Sequence, residues 1–381
     1  MDTTADEIEF DIKNIWNFVM ISKKLIQKNI KILENFVNKI KTSKKIKNYD
    51  CAFALSGGLD SSWALVKCAE MDWRPLVIHL DNGWNSKHAQ SNIHNLVSKL
   101  NLDLETYVIN WEEYKSLMNS FFKSNVIDIE MLMDNAMVGA NFKIANKYKI
   151  KYIFSGFNNS SEGMKIPKNW NWFKKDKKNL LSINKKFENF LSSYPVIGTT
   201  DYIYYRFIKD IRWISPLDYF DYNKEKAIKE LEIKFNFESY EHKHYESFFT
   251  KFYQSYILPK KFGVDKRRLH LSNLIASNQI TRNQALKSIK CPAYDKKKIE
   301  QEIDYFLKKM SWTKLEFLKY IAEKPIKHDF YGSQIQIWIF FKNLFLNLRK
   351  MKLLFKFQFF KHLSCLRETI IYIIQFRSKN I

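Results

Sequence analysis

Cysteine is scarce in this chain. Its 381 residues hold four, Cys51, Cys68, Cys291 and Cys365, irregularly spaced and with no C-x-x-C pair. That excludes a disulfide framework and any zinc site legible from spacing. No uncharged apolar run reaches the ~18 residues of a membrane-spanning helix. The opening, Met1 to Glu7, is acidic and polar and lacks the features of a signal peptide. These absences predict a chain working in a reducing cytoplasm. Acids are also short: 40 Asp and Glu face 63 Lys and Arg, a net charge of +23. Such a balance suits nucleic acid, a membrane surface or anionic substrates. Lys, Asn, Ile, Phe and Tyr crowd the chain throughout, as A/T-rich coding would produce, so the charge selects none of the three. With 46% apolar and 16% aromatic residues the chain is not disordered. Its length allows one large or two ordinary domains.

The most informative stretch is Ala54-Leu55-Ser56-Gly57-Gly58-Leu59-Asp60-Ser61-Ser62. A strand from Cys51 to Leu55 would lead into a turn where Gly57 and Gly58 adopt positive φ and let the backbone approach an anion. The Ser56 and Ser61 hydroxyls and the N-terminus of the following helix would point at the same charge. A Walker loop needs a Lys followed by Ser or Thr after its last Gly, and this stretch has none. The pattern Ser-Gly-Gly-x-Asp-Ser instead resembles that of the PP-loop ATPases. The resemblance implies a grip on the β,γ-pyrophosphate and cleavage between the α- and β-phosphates.

The rest of the chain alternates strands and helices. A helix is expected over Ser61 to Met71, a strand over Arg74 to Leu80 and a helical face at Ile93, Leu96, Val97 and Leu100. Further strands are expected near Leu104 to Ile109 and at Tyr152 to Phe154, with a helix over about Asn135 to Tyr148. This order predicts an α/β fold with a parallel sheet. The turns Ser56 to Ser62, Asp81 to Trp84 and Ser155 to Asn159 would meet in a crevice at the carboxyl ends of the strands. From Ser160 to about Asp221 the sequence is irregular, aromatic and basic, and reads as a substrate-facing insertion. A helical region begins at Lys224, and Thr281-Arg282-Asn283-Gln284 fits a helix-start capping box, with Cys291-Pro292 ending that helix. Lys266, Arg267, Arg268 and His270 crowd about one helical turn, a candidate clamp for phosphate or carboxylate or else a solvated basic face. From Ile335 to Ile381 there are nine Lys or Arg and one acid, Glu368, among Phe, Leu and Ile. That is the pattern of a basic amphipathic helix on anionic lipid or a partner, or of a helix packed back on its own domain.

Several segments together resemble the N-acetyl sugar amidotransferases of surface-polysaccharide and flagellar-glycan biosynthesis. They are Met1 to Thr4, Ser56 to Ser62, His79 to Trp84, Lys243 to Ser247, and Lys261 to Arg268 continuing to Ser272, in order over residues 1 to about 325. The resemblance implies an adenine nucleotide alpha hydrolase-like PP-loop domain with a C-terminal helical region. The divisions would be an N-terminal arm (1–45), the PP-loop ATP pyrophosphatase domain (46–230) with its insertion (160–221), a helical substrate or partner region (231–325) and a basic amphipathic tail (326–381).

The implied reaction uses ATP and Mg²⁺. The acetamido oxygen of a sugar is adenylated, pyrophosphate leaves, and ammonia displaces AMP to give an acetamidino sugar for O-antigen, other lipopolysaccharide or flagellar glycan. The substrate would be nucleotide-linked or a free nonulosonic acid, and a separate glutaminase subunit would supply the ammonia. No specific nucleic acid is implied; the tail is the candidate for peripheral membrane contact. Ser56, Gly57, Gly58, Ser61 and Ser62 would hold pyrophosphate, Asp60 and Asp81 would contact Mg²⁺ or ribose, and Gly156 would let the backbone close over the nucleotide. Lys266, Arg267 and Arg268 would meet charge on the α-phosphate or on the sugar, and His244 and His270 would manage protons. The family's zinc lobe expects a Cys pair where this chain has Trp16 and Val19, which cannot bind zinc, so no zinc site is assigned. Two other functions fit the same residues: a PP-loop tRNA-modifying enzyme, and an inactive remnant that binds a partner or membrane.

Overall fold

The computed structural model describes residue 5 and residues 30–42, 48–187, 191–240 and 245–350. Trp16 and Val19, the Met1 to Thr4 segment, His244 and the tail beyond residue 350 lie outside them.

Five parallel strands form one sheet in the order β3-β2-β1-β4-β5. They are β1 (Cys51–Ala54), β2 (Pro75–Asp81), β3 (Leu104–Val108), β4 (Tyr152–Ser155) and β5 (Arg212–Ile214). The register sets Ala52 beside Leu76 on one side and Ile153 on the other. Side chains alternate across the sheet. Phe53, Val77 and Phe154 enter one apolar layer with Trp63, Leu65 and Leu96. Ala52, Leu76, Ile78 and Ile153 enter the opposite one with Val138 and Phe142. Burial on both faces is why β1 and β2 read as continuous apolar runs. β3, at the sheet edge, alternates exposed and half-buried residues instead.

The helices α1 (Ile30–Thr42), α2 (Leu59–Glu70), α3 (Lys87–Lys99), α4 (Trp111–Lys123), α5 (Met131–Lys147), α6 (Lys177–Lys186) and α7 (Lys224–Phe235) surround this sheet. Their ends follow local chemistry: the Ser86 side chain accepts from Ala89 N at the start of α3, and Asn236, with φ 52°, ends α7 in the left-handed conformation. The C-terminal helices are α8 (Phe248–Phe252, continued as a π-helix over Tyr253–Phe262), α9 (Arg267–Ala276), α10 (Arg282–Lys290), α11 (Ile299–Met310), α12 (Lys314–Ala322) and α13 (Ile335–Lys350). The capping box at Thr281 and Gln284 forms as expected, and α10 gives way to Cys291. One aromatic-rich core joins these helices to α4 and α5 across the expected division near residue 231. In it Trp84, 1% exposed, meets Phe248, Phe249 and Phe306.

Two expectations are corrected. Residues 160–221 are not irregular throughout: they carry α6, a short helix at Thr199–Ile203 and the edge strand β5. Three residues, Arg-Trp-Ile, are too few to show a period, and only pairing with β4 makes them a strand. The described start of the expected tail, from residue 326, packs against the rest of the chain. His328 is buried, stacked on Trp172 at 4.8 Å, and Trp338 packs between Phe173 and Tyr202. On α13 the next positions, Ile337, Phe340, Phe341 and Leu344, face outward.

His328 is held neutral. Its Nδ1–H donates to Asn179 Oδ1 at 2.8 Å and its Nε2 accepts the Asp128 amide at 3.4 Å. Burial, against the pull of Asp128, pushes its pKa down to about 3. Between that value and the unfolded ~6.5 the native state binds fewer protons, so this stability is complete above ~6.5 and lost as pH falls. About 2 kcal/mol should disappear between pH 7 and pH 5. His328→Gln should remove that increment in urea unfolding at the two pH values; an unchanged pH dependence would contradict the assignment. Trp338→Ala should cost about 3–5 kcal/mol, and a loss below ~1 kcal/mol would contradict the docking of this segment.

Candidate active site

Strand order reverses between β1 and β4, so the turns after these two strands diverge around a crevice at the carboxyl edge of the sheet. A cavity of about 560 Å³ opens there, lined by Ser56, Gly58, Asp60 and Ser61 from the first turn and by Ser155, Gly156 and Phe157 from the other. Its far wall comes from the C-terminal helices, through Gln254, Lys266, Arg267 and His270, while Glu246, just before α8, reaches the loop.

The serine–glycine loop is held from both sides. Gly57 has φ +79°, and a Cβ there would come within 2.6 Å of Ala89 O. Its carbonyl accepts from Asn92 Nδ2 at 3.3 Å and Tyr240 OH at 3.1 Å. Gly58 departs from the expected positive φ: at −80° it is the N-cap of α2, and what it requires is room, since its Cβ would lie 3.0 Å from Glu246 Oε1. The Ser56 and Ser61 hydroxyls, expected to aim at an anion, lie 3.0 Å apart and bond the loop itself. Ser56 Oγ accepts the Gly58 amide at 3.2 Å, and Ser61 Oγ–H donates to the Gly58 carbonyl at 3.1 Å.

Other predicted residues are placed elsewhere. Ser62 is fully buried beneath the loop and does not line the cavity, because one step along α2 turns its side chain by about 100° from that of Ser61. Asp81 does not line it either. Its Oδ1 accepts from Gly83 N at 2.8 Å and Asn85 Nδ2 at 3.2 Å, folding it into its own turn. His79, two residues earlier, takes that place: Nδ1–H donates to Leu55 O at 3.0 Å and Nε2 accepts from Asn85 Nδ2 at 3.0 Å. Burial lowers its pKa, which keeps the ring neutral. Asp60 does line the cavity and accepts a hydrogen bond from the buried Tyr222 hydroxyl. Burial, then the Asp60 charge, drives the Tyr222 phenol well above its usual range. Gly156 is needed for a different reason from the one expected: a Cβ there would lie 2.2 Å from Ser61 N, so the close approach is between two loops of the protein.

The expected cationic clamp is largely neutralised. Lys266 Nζ lies 2.5 Å from Glu130, whose other oxygen accepts from Gln254 at 2.9 Å. Arg267 pairs with Asp265 at 2.8 Å and donates to Cys291 O at 2.9 Å. Arg268, on the same turn of α9, is not among the lining residues, whereas His270 is. A residue not anticipated, Lys174, sits between Asp128 at 2.6 Å and Asp134 at 3.0 Å. Burial opposes charge on both Lys174 and Asp128, but their mutual attraction outweighs it, raising the lysine and lowering the aspartate. Five carboxylates and five Lys or Arg line the cavity, so the +23 of the chain is not focused here. A legible signal for this array existed: Asp128, Glu130 and Asp134 interrupt an apolar run from Val126 to Met137, and acids in such a run are buried only with partners. Tyr222 left no such signal.

For Mg²⁺, the donor set narrows to Asp60, since Asp81 is engaged in its turn. Among the described residues no group of three or more His, Cys, Asp or Glu could hold a metal. A single carboxylate is compatible with Mg²⁺ carried on nucleotide phosphates. Among the described residues no helix is long and apolar enough to cross a membrane.

Residues 246–345 match the family described as LPS biosynthesis protein WbpG-like, C-terminal domain. The match starts at Glu246 and runs past Pro325, twenty residues beyond where the sequence resemblance was expected to end, and it supports that resemblance. No curated protein matches the chain. Solved structures that resemble it include the NH3-dependent NAD synthetase of Campylobacter jejuni, 12% identical over 81% of this chain and 98% of that one, with a TM-score of 0.33. Another is the U34-tRNA thiolase NcsA of Methanococcus maripaludis, 13% identical over 69% and 80%, with a TM-score of 0.31. A third is a predicted tRNA methyltransferase subunit of Methanocaldococcus jannaschii, 14% identical over 47% and 74%, with a TM-score of 0.28.

Gly156→Ala should displace the loop and cost about 1–3 kcal/mol, read by urea unfolding. A variant as stable as wild type would contradict the interlocked turns.

Proposed function

We propose that this chain is an ATP-dependent synthetase that adenylates the acetamido oxygen of an N-acetylated sugar and exchanges that oxygen for ammonia, giving an acetamidino sugar for a surface glycan. The observation that carries this reading is a shared cavity: one wall is the serine–glycine loop at the sheet's switch point, and the other is built by the WbpG-like segment. A nucleotide at the loop and a sugar against the far wall would then face each other.

In the reaction the acetamido oxygen attacks the α-phosphorus and pyrophosphate departs. Ammonia adds to the resulting imidate carbon, AMP leaves with the former acetamido oxygen, and the excess protons pass to the surroundings. The first turn of α2, Leu59 to Ser61, lies where its amides favour an anion. Lys266 and Lys174, fixed by carboxylates, offer oriented hydrogen-bonding groups with no surplus positive charge, which suits a polyhydroxylated sugar better than a polyanion. His270 lines the same wall and is the proton carrier we assign there. Cys51 and Cys68 are buried in β1 and α2, and burial raises both thiols. Neither lies beside a motif-like His, and on the family resemblance we assign ammonia supply to a separate glutaminase. The balanced cavity gives the tRNA-modifying alternative no support.

Pyrophosphate release with Mg-ATP and ammonium should depend on a nucleotide-linked or free acetamido sugar and fall at least a hundredfold in a Ser56→Ala/Asp60→Ala double variant. Release that is independent of sugar, or none from folded protein, would overturn the proposal; release driven by tRNA would replace it with the tRNA-modifying alternative.

A further inference from the structure

One apolar face of this chain is turned outward by a helix that cannot roll. The start of α13 is pinned: Gln334 N donates to Asp176 Oδ1 at 3.0 Å, Gln334 Nε2 donates to the Lys175 carbonyl, and Ile335 N donates to Ser333 Oγ at 3.0 Å. Trp338, buried between Phe173 and Tyr202, fixes the rotation of the helix. At about 100° per residue, that leaves Ile337, Phe340, Phe341 and Leu344 pointing away from the contact, and all four are exposed, Phe340 by 62%. Neighbouring elements expose large apolar side chains too. Phe330 precedes the helix, with Lys186 Nζ 5.0 Å from its ring centre. The short helix that carries Tyr202 continues over Tyr204–Ile208 and exposes Tyr204, Phe207 and Ile208, with Lys209 Nζ 5.4 Å from the centre of the Tyr204 ring.

Charge decides what such a face fits. The sixteen residues of α13 include Lys342, Arg349 and Lys350 and no acid, and the sequence of 351–381 adds six Lys or Arg and a single Glu. Basic residues interleaved with an exposed apolar stripe complement a surface that is negative outside and apolar beneath, which is the interfacial zone of a bilayer with anionic headgroups. A second copy of the chain, or residues 351–381 folded back on the helix, would set positive charge against positive charge. A nucleic acid would answer the charge but leave Ile337 and Leu344 in water. No helix among the described residues is long and apolar enough to cross a membrane, so α13 would lie along the surface. We propose that the outward face of α13 docks on an anionic lipid surface, with its apolar side chains among the headgroups and the basic residues of the segment meeting the lipid phosphates. This docking is independent of the ATP reading.

The test is flotation of the full chain with vesicles of phosphatidylcholine alone and of phosphatidylcholine and phosphatidylglycerol in equal parts. Wild type should bind the anionic vesicles about tenfold or more tighter than the neutral ones, and added salt should narrow that gap. Phe340→Asp/Phe341→Asp should weaken binding to anionic vesicles about tenfold or more, with an unchanged urea midpoint because both rings are exposed. Ile233→Asp/Leu315→Asp, which adds the same charge at exposed positions of α7 and α12, should keep most of the binding. Phe340→Ser/Phe341→Ser serves in place of the first variant should that one not fold. Equal binding to both vesicles, or binding to neither, overturns the proposal. So does anionic binding that survives the change at Phe340 and Phe341, or a loss in the Ile233 and Leu315 variant as large as in theirs, which would make net charge the cause.

Discussion

The close contact of two turns across the switch point is the constraint on which the site depends. Gly156 after β4 lies so near Ser61 and Asp60 that a methyl group would overlap their backbone, and Gly57 stands in the same relation to Ala89 of α3. Both contacts are between backbone atoms, which cannot yield by changing rotamer. The first turn of α2 is thus wedged between β4 and α3, and the direction of its amides follows from sheet geometry. Asn92 and Tyr240 complete the wedge by holding the Gly57 carbonyl.

The second half of the molecule is joined to this frame by apolar burial. Trp84, at the turn after β2, is enclosed by Phe248, Phe249 and Phe306, and this core continues into α4 and α5. Aromatic side chains of this size dominate the energetics wherever they are buried. The consequence is functional: α8 and α9 can present Gln254, Lys266 and His270 to the cavity only because the core beneath them fixes their height over the loop. Lys174, Lys266 and Arg267 are each matched there by an acid, since an unpaired charge at such depth would be expensive. The cavity wall is largely apolar, with acids and bases in equal number set into it.

Much of this was legible from residues. The apolar runs at β1, β2 and β4, the helical spacing of Ile93, Leu96 and Leu100, the capping box at Thr281 and the Ser-Gly-Gly turn each carry a local cause, and a local cause is visible in sequence. β5 was not legible, because three residues become a strand only by pairing with β4. The docking of His328 and Trp338 was hidden by the basic, apolar sequence that follows them, which reads alike whether a helix packs inward or lies free. Asp81 and Ser62 illustrate a different limit. Both stand in motif positions, yet a turn folds one carboxylate onto its own amides and a helix rotates the other side chain under the loop.

What the sequence determined alone was the alternation of strand and helix, the sheet it implies and the place of the serine–glycine turn, since periodicity and glycine act within a few residues. Tertiary structure alone decided which charged groups meet. Lys174 finds Asp128 across 46 positions of chain, Lys266 finds Glu130 across 136, and Tyr222 reaches Asp60 across 162. Those partnerships set which charges remain at the site, and no spacing rule reaches over such separations, because they depend on how packed layers bring distant segments together.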